Sequence, residues 1–246
     1  MATVSVDWTE QPVLCTQAHQ YACLFPAMIS DWRAKFQLPD LSFFFVQLAP
    51  YFPRRSFTDV RNAQMAALKL NNTGFAVAID LGDLHSPVTP IHPRRKQEVG
   101  RRLALSALSV QYGRHDIVSI GPTFESIVAN SGAGTATVSF MAGTARGLHH
   151  AGTADCNLVG TKLCCGESPF EILLGNGTWQ RTNFTFTSLE QVELALPTGA
   201  MSPVAARYAW EPWPLCSLYN GVGGPDNHTG IAGTPWCWNG VQPCPY

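Results

Sequence analysis

Residues 74–80 read Gly-Phe-Ala-Val-Ala-Ile-Asp, an apolar run that begins at a glycine and stops at a carboxylate. A short run with no polar position suits a strand covered on both faces, as in parallel sheets. After it comes the loop Asp80-Leu-Gly-Asp83-Leu-His85-Ser-Pro-Val-Thr-Pro-Ile-His92-Pro93. Pro93 then opens a helix with Val99, Leu103, Ala107 and Val110 on one face and Gly113 as its stop. Before it, Leu41–Leu48 is a second buried strand, and Asp59 is an N-cap for a helix through Leu70. Further upstream Met28, Ile29, Trp32 and Phe36 share one helical face, with Pro26 in the first turn. Strand–helix–strand–helix is the grammar of a parallel α/β sheet. Two strands do not make a stable sheet of that kind, so residues 21–113 read as part of an α/β domain rather than all of one.

From Arg114 the grammar changes. Thr135–Phe140, Asn183–Thr187 and Val192–Leu196 alternate with period two, separated by clusters such as Gly175-Asn176-Gly177. Short alternating strands with such turns predict a β-sandwich over residues 114–220. Residues 221–246 are rich in Gly and Pro, show no periodicity, and read as an irregular tail.

Of 246 residues, 46% are apolar and 13% charged, with a net charge of −1. That is enough for a real core and too little charge for a disordered chain. The absence of a basic surplus argues against nucleic acid as a partner. No apolar run approaches the ~18 residues of a membrane span. Eight cysteines and the sequons at Asn71, Asn176, Asn183 and Asn227 favour an oxidising, glycosylating compartment. Residues 1–20 carry neither a basic n-region nor an apolar h-region. Either the true N-terminus lies elsewhere or this product stays in the cytosol.

The loop after the second strand is the candidate site, because open α/β sheets bind ligands at loops leaving the carboxyl ends of their strands. It holds two carboxylates and two histidines. His92 would stand just before a helical turn, where a neutral imidazole is favoured, the form a general base needs. It would equally serve as a cap or turn residue. Asp83, His85 and His92 lack a spacing that sets metal geometry, and no CxxC pair with matching His spacing occurs, so no metal is expected. His149-His150 reads as exposed loop, Arg94-Arg95-Lys96 as solvated charge, Arg61 and Gln64 as helix surface, and Ser168 of Gly166-Glu167-Ser168 as a turn serine.

Several blocks resemble the sialate O-acetylesterases, hydrolases of the SGNH/GDSL type. Tyr21-Ala-Cys23-Leu-Phe-Pro-Ala-Met-Ile-Ser-Asp31-Trp32-Arg33 is similar to the family's "YxCxFPALIxDWR" stretch. Phe45-Val46-Gln47-Leu48-Ala49-Pro50, Arg61-Asn-Ala-Gln64 and Asn72-Thr73-Gly74 follow in the family's order. The most specific block is Ile91-His92-Pro93-Arg-Arg-Lys96-Gln97-Glu98-Val99-Gly100-Arg101-Arg102-Leu103-Ala104. Arg207-Tyr208-Ala209-Trp210 and Leu218-Tyr219-Asn220 resemble the close of the family's β-rich domain.

The resemblance implies a partial SGNH-type parallel sheet, incomplete N-terminally, followed by a β-sandwich. It implies removal of O-acetyl groups from sialic acids or sialoglycans, without cofactor, in a secreted or lysosomal setting. His92 takes the role of catalytic base. The family's nucleophilic serine lies in a Gly-x-Ser-type motif upstream of the "YxCxFPALI" stretch, and residues 1–20 contain none. Many SGNH enzymes place an acid three residues before the histidine, where Thr89 stands here. Asp83, or alternatively Asp80, would then orient His92. The expectation is a truncated form that lacks the nucleophile and is inactive alone. The rival readings are a non-catalytic carbohydrate-binding or decoy fragment, and a misfolded product without function.

Overall fold

The structure, a computed structural model, describes residues 18–51, 57–130, 132–152, 168–198, 203–221 and 230–238. Helix α1 spans Ala18–Lys35 with Pro26 inside it, so the proline does not start the helix as expected. Phe25 and Ile29 form its buried side, while Phe36 lies beyond the helix at 62% exposure, a correction to the expected face. Strand β1 (Phe43–Gln47) runs parallel to β2 (Thr73–Val77), in register from Phe43↔Thr73 to Gln47↔Val77. Between them lie α2 (Thr58–Gln64) and a 3-10 helix (Met65–Lys69). Asp59 falls in the first turn of α2, and the N-cap is Phe57. Helix α3 (Lys96–Val110) follows β2 and begins at Lys96 rather than at Pro93.

The two strands are covered on both faces, which is why their runs carry no polar alternation. On one face the Phe25 ring meets Phe43 and Phe45 edge-on, and Phe45 stacks on Phe75. On the other, Gly74 lets α3 approach: a Cβ there would sit 2.4 Å from Ser106 Oγ and 2.8 Å from the Phe44 ring. The result is a helix–sheet–helix layering around a two-stranded sheet.

The remaining strands pair only antiparallel: β3 (Phe124–Asn130), β4 (Thr135–Phe140), β5 (His149–Gly152), β6 (Phe170–Leu173), β7 (Trp179–Arg181), β8 (Phe184–Ser188), β9 (Gln191–Ala195), β10 (Ala205–Tyr208), β11 (Cys216–Tyr219) and β12 (Trp236–Trp238). They form two four-stranded sheets, β3-β4-β9-β8 and β12-β10-β6-β7, and the pair β11-β5. Period-two alternation puts Val138, Phe140, Val192 and Leu194 of the first sheet into one core. Phe170, Ile172, Tyr208 and Trp236 of the second sheet complete it.

Two further expectations are corrected. Residues 221–246 are not irregular throughout, since Trp236–Trp238 adds a strand to β10 and Ala232 is fully buried against the α/β layer. His149 and His150 lie in β5, with the His149 ring stacked on Tyr219 and the His150 ring on Phe186. Cys216 and Cys237 each take part in a disulfide, and Cys23 is a free, exposed thiol. Cys15, Cys156, Cys164, Cys165, Cys244 and Asn227 lie outside the described residues. No helix among the described residues is long and apolar enough to cross a membrane.

Candidate functional site

The carboxyl ends of β1 and β2 lie side by side and release the segments 48–51 and 78–95. The first is held by α2. Phe43 N–H donates to Asn72 O, so the odd positions of β1 face β2 and Val46 and Leu48 face away from it. The Gln64 amide serves that outer edge: its Nε2 donates to Val46 O and its Oε1 accepts from Leu48 N–H, both at 3.0 Å. Arg61, wholly buried, donates Nε to Leu48 O (2.9 Å) and Nη2 to Ala49 O (3.1 Å). It also reaches Glu211 O and Pro212 O, each at 2.8 Å. Arg61 and Gln64 are therefore interior clamps, not helix surface. Burial pulls the Arg61 guanidinium down to about 9.

The second segment begins at Asp80. Its carboxylate takes a bidentate pair from Arg102 at 2.6 and 2.8 Å and the Tyr219 hydroxyl at 3.0 Å. Burial, reinforced by the Asp80 charge, pushes the Tyr219 phenol well up. Gly82 comes next, where a Cβ would meet Trp213 Cζ2 at 2.6 Å, so Trp213 packs directly beneath the loop. Trp213 also packs with Leu215 and the half-buried Leu84.

Asp83 then clasps the far end of the loop. Its oxygens accept Arg94 Nε (2.6 Å), Nη2 (2.9 Å) and the Arg94 backbone N–H (3.1 Å). The Arg94 hydrogen bonds hold its carboxyl down at about 2, against the burial that would raise it. Inside the clasp, His92 N–H donates to Thr89 O (2.9 Å), and Ser86 Oγ donates to His92 O (2.6 Å). The backbone of His92 is thus fixed while its side chain is exposed. Lys96 opens α3 a full turn later, so the helix N-terminus is too far to act on the imidazole as the sequence pattern suggested.

The structure therefore brings Asp83, Ser86 and His92 into one closed loop but puts neither Asp83 nor Asp80 on the His92 ring. Asp83 bonds Arg94 and Asp80 bonds Arg102. His85 is exposed on the same loop. Ser168 Oγ accepts from Phe170 N–H, as a turn residue does. Among the described residues no group of three His, Cys, Asp or Glu side chains is placed to hold a metal ion. Arg61, Arg102, Trp213 and Tyr219 do not stand out from the sequence as parts of the site. The motif blocks contain all but Trp213, which was the one available signal.

No protein-family model matches the chain. Sialate O-acetylesterases of Mus musculus and Homo sapiens are each 30% identical to it over 221 residues, covering 81% of this chain and 38% and 40% of their own lengths. That of Rattus norvegicus is 42% identical over 119 residues. The crystal structure of a carbohydrate acetylesterase from Xanthomonas citri matches with a TM-score of 0.68 and 28% identity, covering 89% of this chain and 46% of that one. The chain, with parallel and antiparallel sheets and few helices, is thus similar in fold to that carbohydrate acetylesterase. The chain is a homologue of the sialate O-acetylesterases, spanning about two fifths of the length of those curated relatives.

Proposed function

We propose that this chain is part of a hydrolase that removes O-acetyl groups from sialic acids or sialoglycans by serine-esterase chemistry. On this reading the α/β layer is a segment of an SGNH-type sheet and the antiparallel half is a β-sandwich packed against it. The attacking serine belongs to the part of the relatives outside the span matched here. That serine attacks the acetyl carbonyl, and His92 takes its proton. Departure of the sugar hydroxyl leaves an acetyl-serine, which water activated by His92 then hydrolyses. No cofactor enters the scheme. Asp83 holds the base-bearing loop closed through Arg94. An acid partner for the imidazole would come from a rearranged Asp83 or from outside the described residues.

One observation carries this reading. The block Ile91–Ala104, the most specific match to the family, begins in a clasped loop after a parallel strand, with His92 exposed on it, and continues into α3. The test joins this chain to the N-terminal portion of the mouse relative that lies outside the match and measures acetate released from O-acetylated sialic acid. The joined protein is expected to turn over and the chain alone to be silent. His92→Ala in the joined protein should lower kcat by ~10³-fold or more. An unchanged rate in that variant would remove His92 from the role of base.

A further inference from the structure

The sheet edges of the antiparallel half are protected unequally. Strands β7 and β12 are short, three residues each, and β7 ends in Arg181. Strand β3 carries Glu125 and a register shift between Phe124 and Ser126. Strand β8, Phe-Thr-Phe-Thr-Ser, has no charge and no proline, and its register shift comes only after Phe186. It pairs with β9 along one side, and among the described residues no strand pairs with its other side. Thr185, Phe186, Thr187 and Ser188 are all exposed. An uncharged edge whose Phe186 ring, though stacked on His150, stays 38% exposed is a template for pairing with another chain, and proteins normally cover or charge such edges.

At the head of this strand stands a sequon, Asn183-Phe184-Thr185. Asn183 is exposed, and its backbone is pinned by Ala195 N–H donating to its carbonyl at 2.9 Å. Its side-chain amide makes no hydrogen bond among the described residues. Thr185 sits opposite Glu193, which in turn faces Thr137, so the face bearing Asn183 and Thr185 is polar and solvated. The other sequons differ. Asn176 Oδ1 accepts from Thr178 N–H in the turn between β6 and β7, and Thr73 of the Asn71 sequon is buried in β2.

We infer that Asn183 carries an N-linked oligosaccharide and that this glycan is the cover of the β8 edge. The donor class is an oligosaccharide on a polyprenyl diphosphate. The Asn183 amide nitrogen attacks its anomeric carbon. The nitrogen–carbon bond forms, the carbon–oxygen bond to the diphosphate breaks, the diphosphate leaves with the electron pair, and the amide proton passes to base. A bulky, hydrated group at the strand head blocks approach of a second strand without altering the β8–β9 ladder. The inference is independent of the hydrolase reading, because its test needs no turnover.

The experiment expresses the chain in eukaryotic cells behind a heterologous secretion leader. Occupancy is read by peptide-N-glycosidase release in heavy-oxygen water followed by peptide mass spectrometry, on both secreted protein and cell lysate. The expected result is a heavy-oxygen tag at Asn183 in either fraction. Thr185→Ala, which removes the sequon and keeps the asparagine, should lose the tag and raise the oligomer fraction in size-exclusion chromatography severalfold. Adding Thr187→Lys should return the monomer by charging the same edge. If Thr185→Ala does not fold, enzymatic deglycosylation of the folded wild-type chain replaces it. An unmodified Asn183 in both fractions overturns the site. A glycan-free chain as monodisperse as the glycosylated one overturns its role.

Discussion

Asp80 and Arg102 form a bidentate ion pair, Nη1 to Oδ1 at 2.6 Å and Nη2 to Oδ2 at 2.8 Å, with side chains only 3% and 2% exposed. Arg102 also donates to Val77 O (2.7 Å) and Glu98 (2.8 Å), and the Tyr219 hydroxyl donates to the Asp80 carboxylate at 3.0 Å. A buried ion costs several kcal/mol to desolvate unless it is paired and hydrogen-bonded, as this one is. One carboxylate at the end of β2 thereby ties the sheet, α3 and β11 together.

Asp80→Asn leaves the Arg102 charge buried without its main partner, and stability should fall by ~3–5 kcal/mol. Tyr219→Phe removes only one hydrogen bond and should cost ~1–2 kcal/mol. Replacing both members, Asp80→Leu with Arg102→Met, should cost less than Asp80→Asn alone. Urea unfolding of these variants beside the wild-type chain decides it, and an unchanged midpoint in Asp80→Asn would show that the pair carries no net stability.

The Asp83 clasp should be acid-labile in a defined window. Its carboxyl is held at about 2 against an ordinary value of 3.8, so the folded form binds its proton less readily than the unfolded chain does. The stabilisation is therefore present above the ordinary value and is lost as pH falls through about 2. Carboxyl-carbon NMR of Asp83 should titrate near that lower value in the native chain and near an unperturbed aspartate in Arg94→Gln. Coincident titrations in the two proteins would mean that Arg94 does not hold the carboxylate in solution.

Two glycines should respond in opposite directions to alanine. At Gly100, inside α3, a Cβ meets nothing within 4 Å, and Gly100→Ala should stabilise by ~0.5–1 kcal/mol. At Gly121 a Cβ would lie 2.1 Å from the Ala232 carbonyl oxygen, a backbone atom that cannot swing aside. Gly121→Ala should therefore destabilise by ~1–3 kcal/mol or more. A melting temperature that rises for both would show that residues 231–233 do not pack there.

Arg61 bridges four carbonyl oxygens, two on the segment after β1 and two on Glu211 and Pro212. A lysine has a single ammonium and no planar fork, so Arg61→Lys cannot satisfy all four. Amide hydrogen exchange should accelerate in residues 48–51 and 209–213 and stay unchanged in β4 and β9. Uniform acceleration across the chain would mean a global effect rather than a lost clamp.

Much of the fold was legible because hydropathy patterns report on local cover. An unbroken run such as Phe43–Val46 has no solvated face in any strand, and helices do lie on both sides of it. The alternation of Thr135–Phe140 and Val192–Leu196 is that of strands with one dry face. Where a pattern carried no such constraint, the expectation failed. Trp236–Trp238 is too short to show a period, and its place beside β10 comes from packing across the chain. Phe184–Thr187 alternates like its neighbours, yet at the sheet edge its Phe186 is exposed.

By itself, then, the sequence determined the two strands of the parallel layer and the antiparallel character of the strands after Arg114. Through contiguous motif blocks it also determined the kinship with sialate O-acetylesterases. The tertiary structure alone decided where the charges go. Arg61 and Arg102 are hydrophilic by any scale, and Arg61 reads from the sequence as helix surface. They are buried because Glu211, Pro212 and Tyr219, distant along the chain, arrive with the carbonyls and hydroxyl that complete their networks. It likewise decided that Asp83 closes on Arg94 and Asp80 on Arg102, since a carboxylate in a loop takes whichever cation the folded backbone brings nearest, and spacing along the chain does not specify that distance.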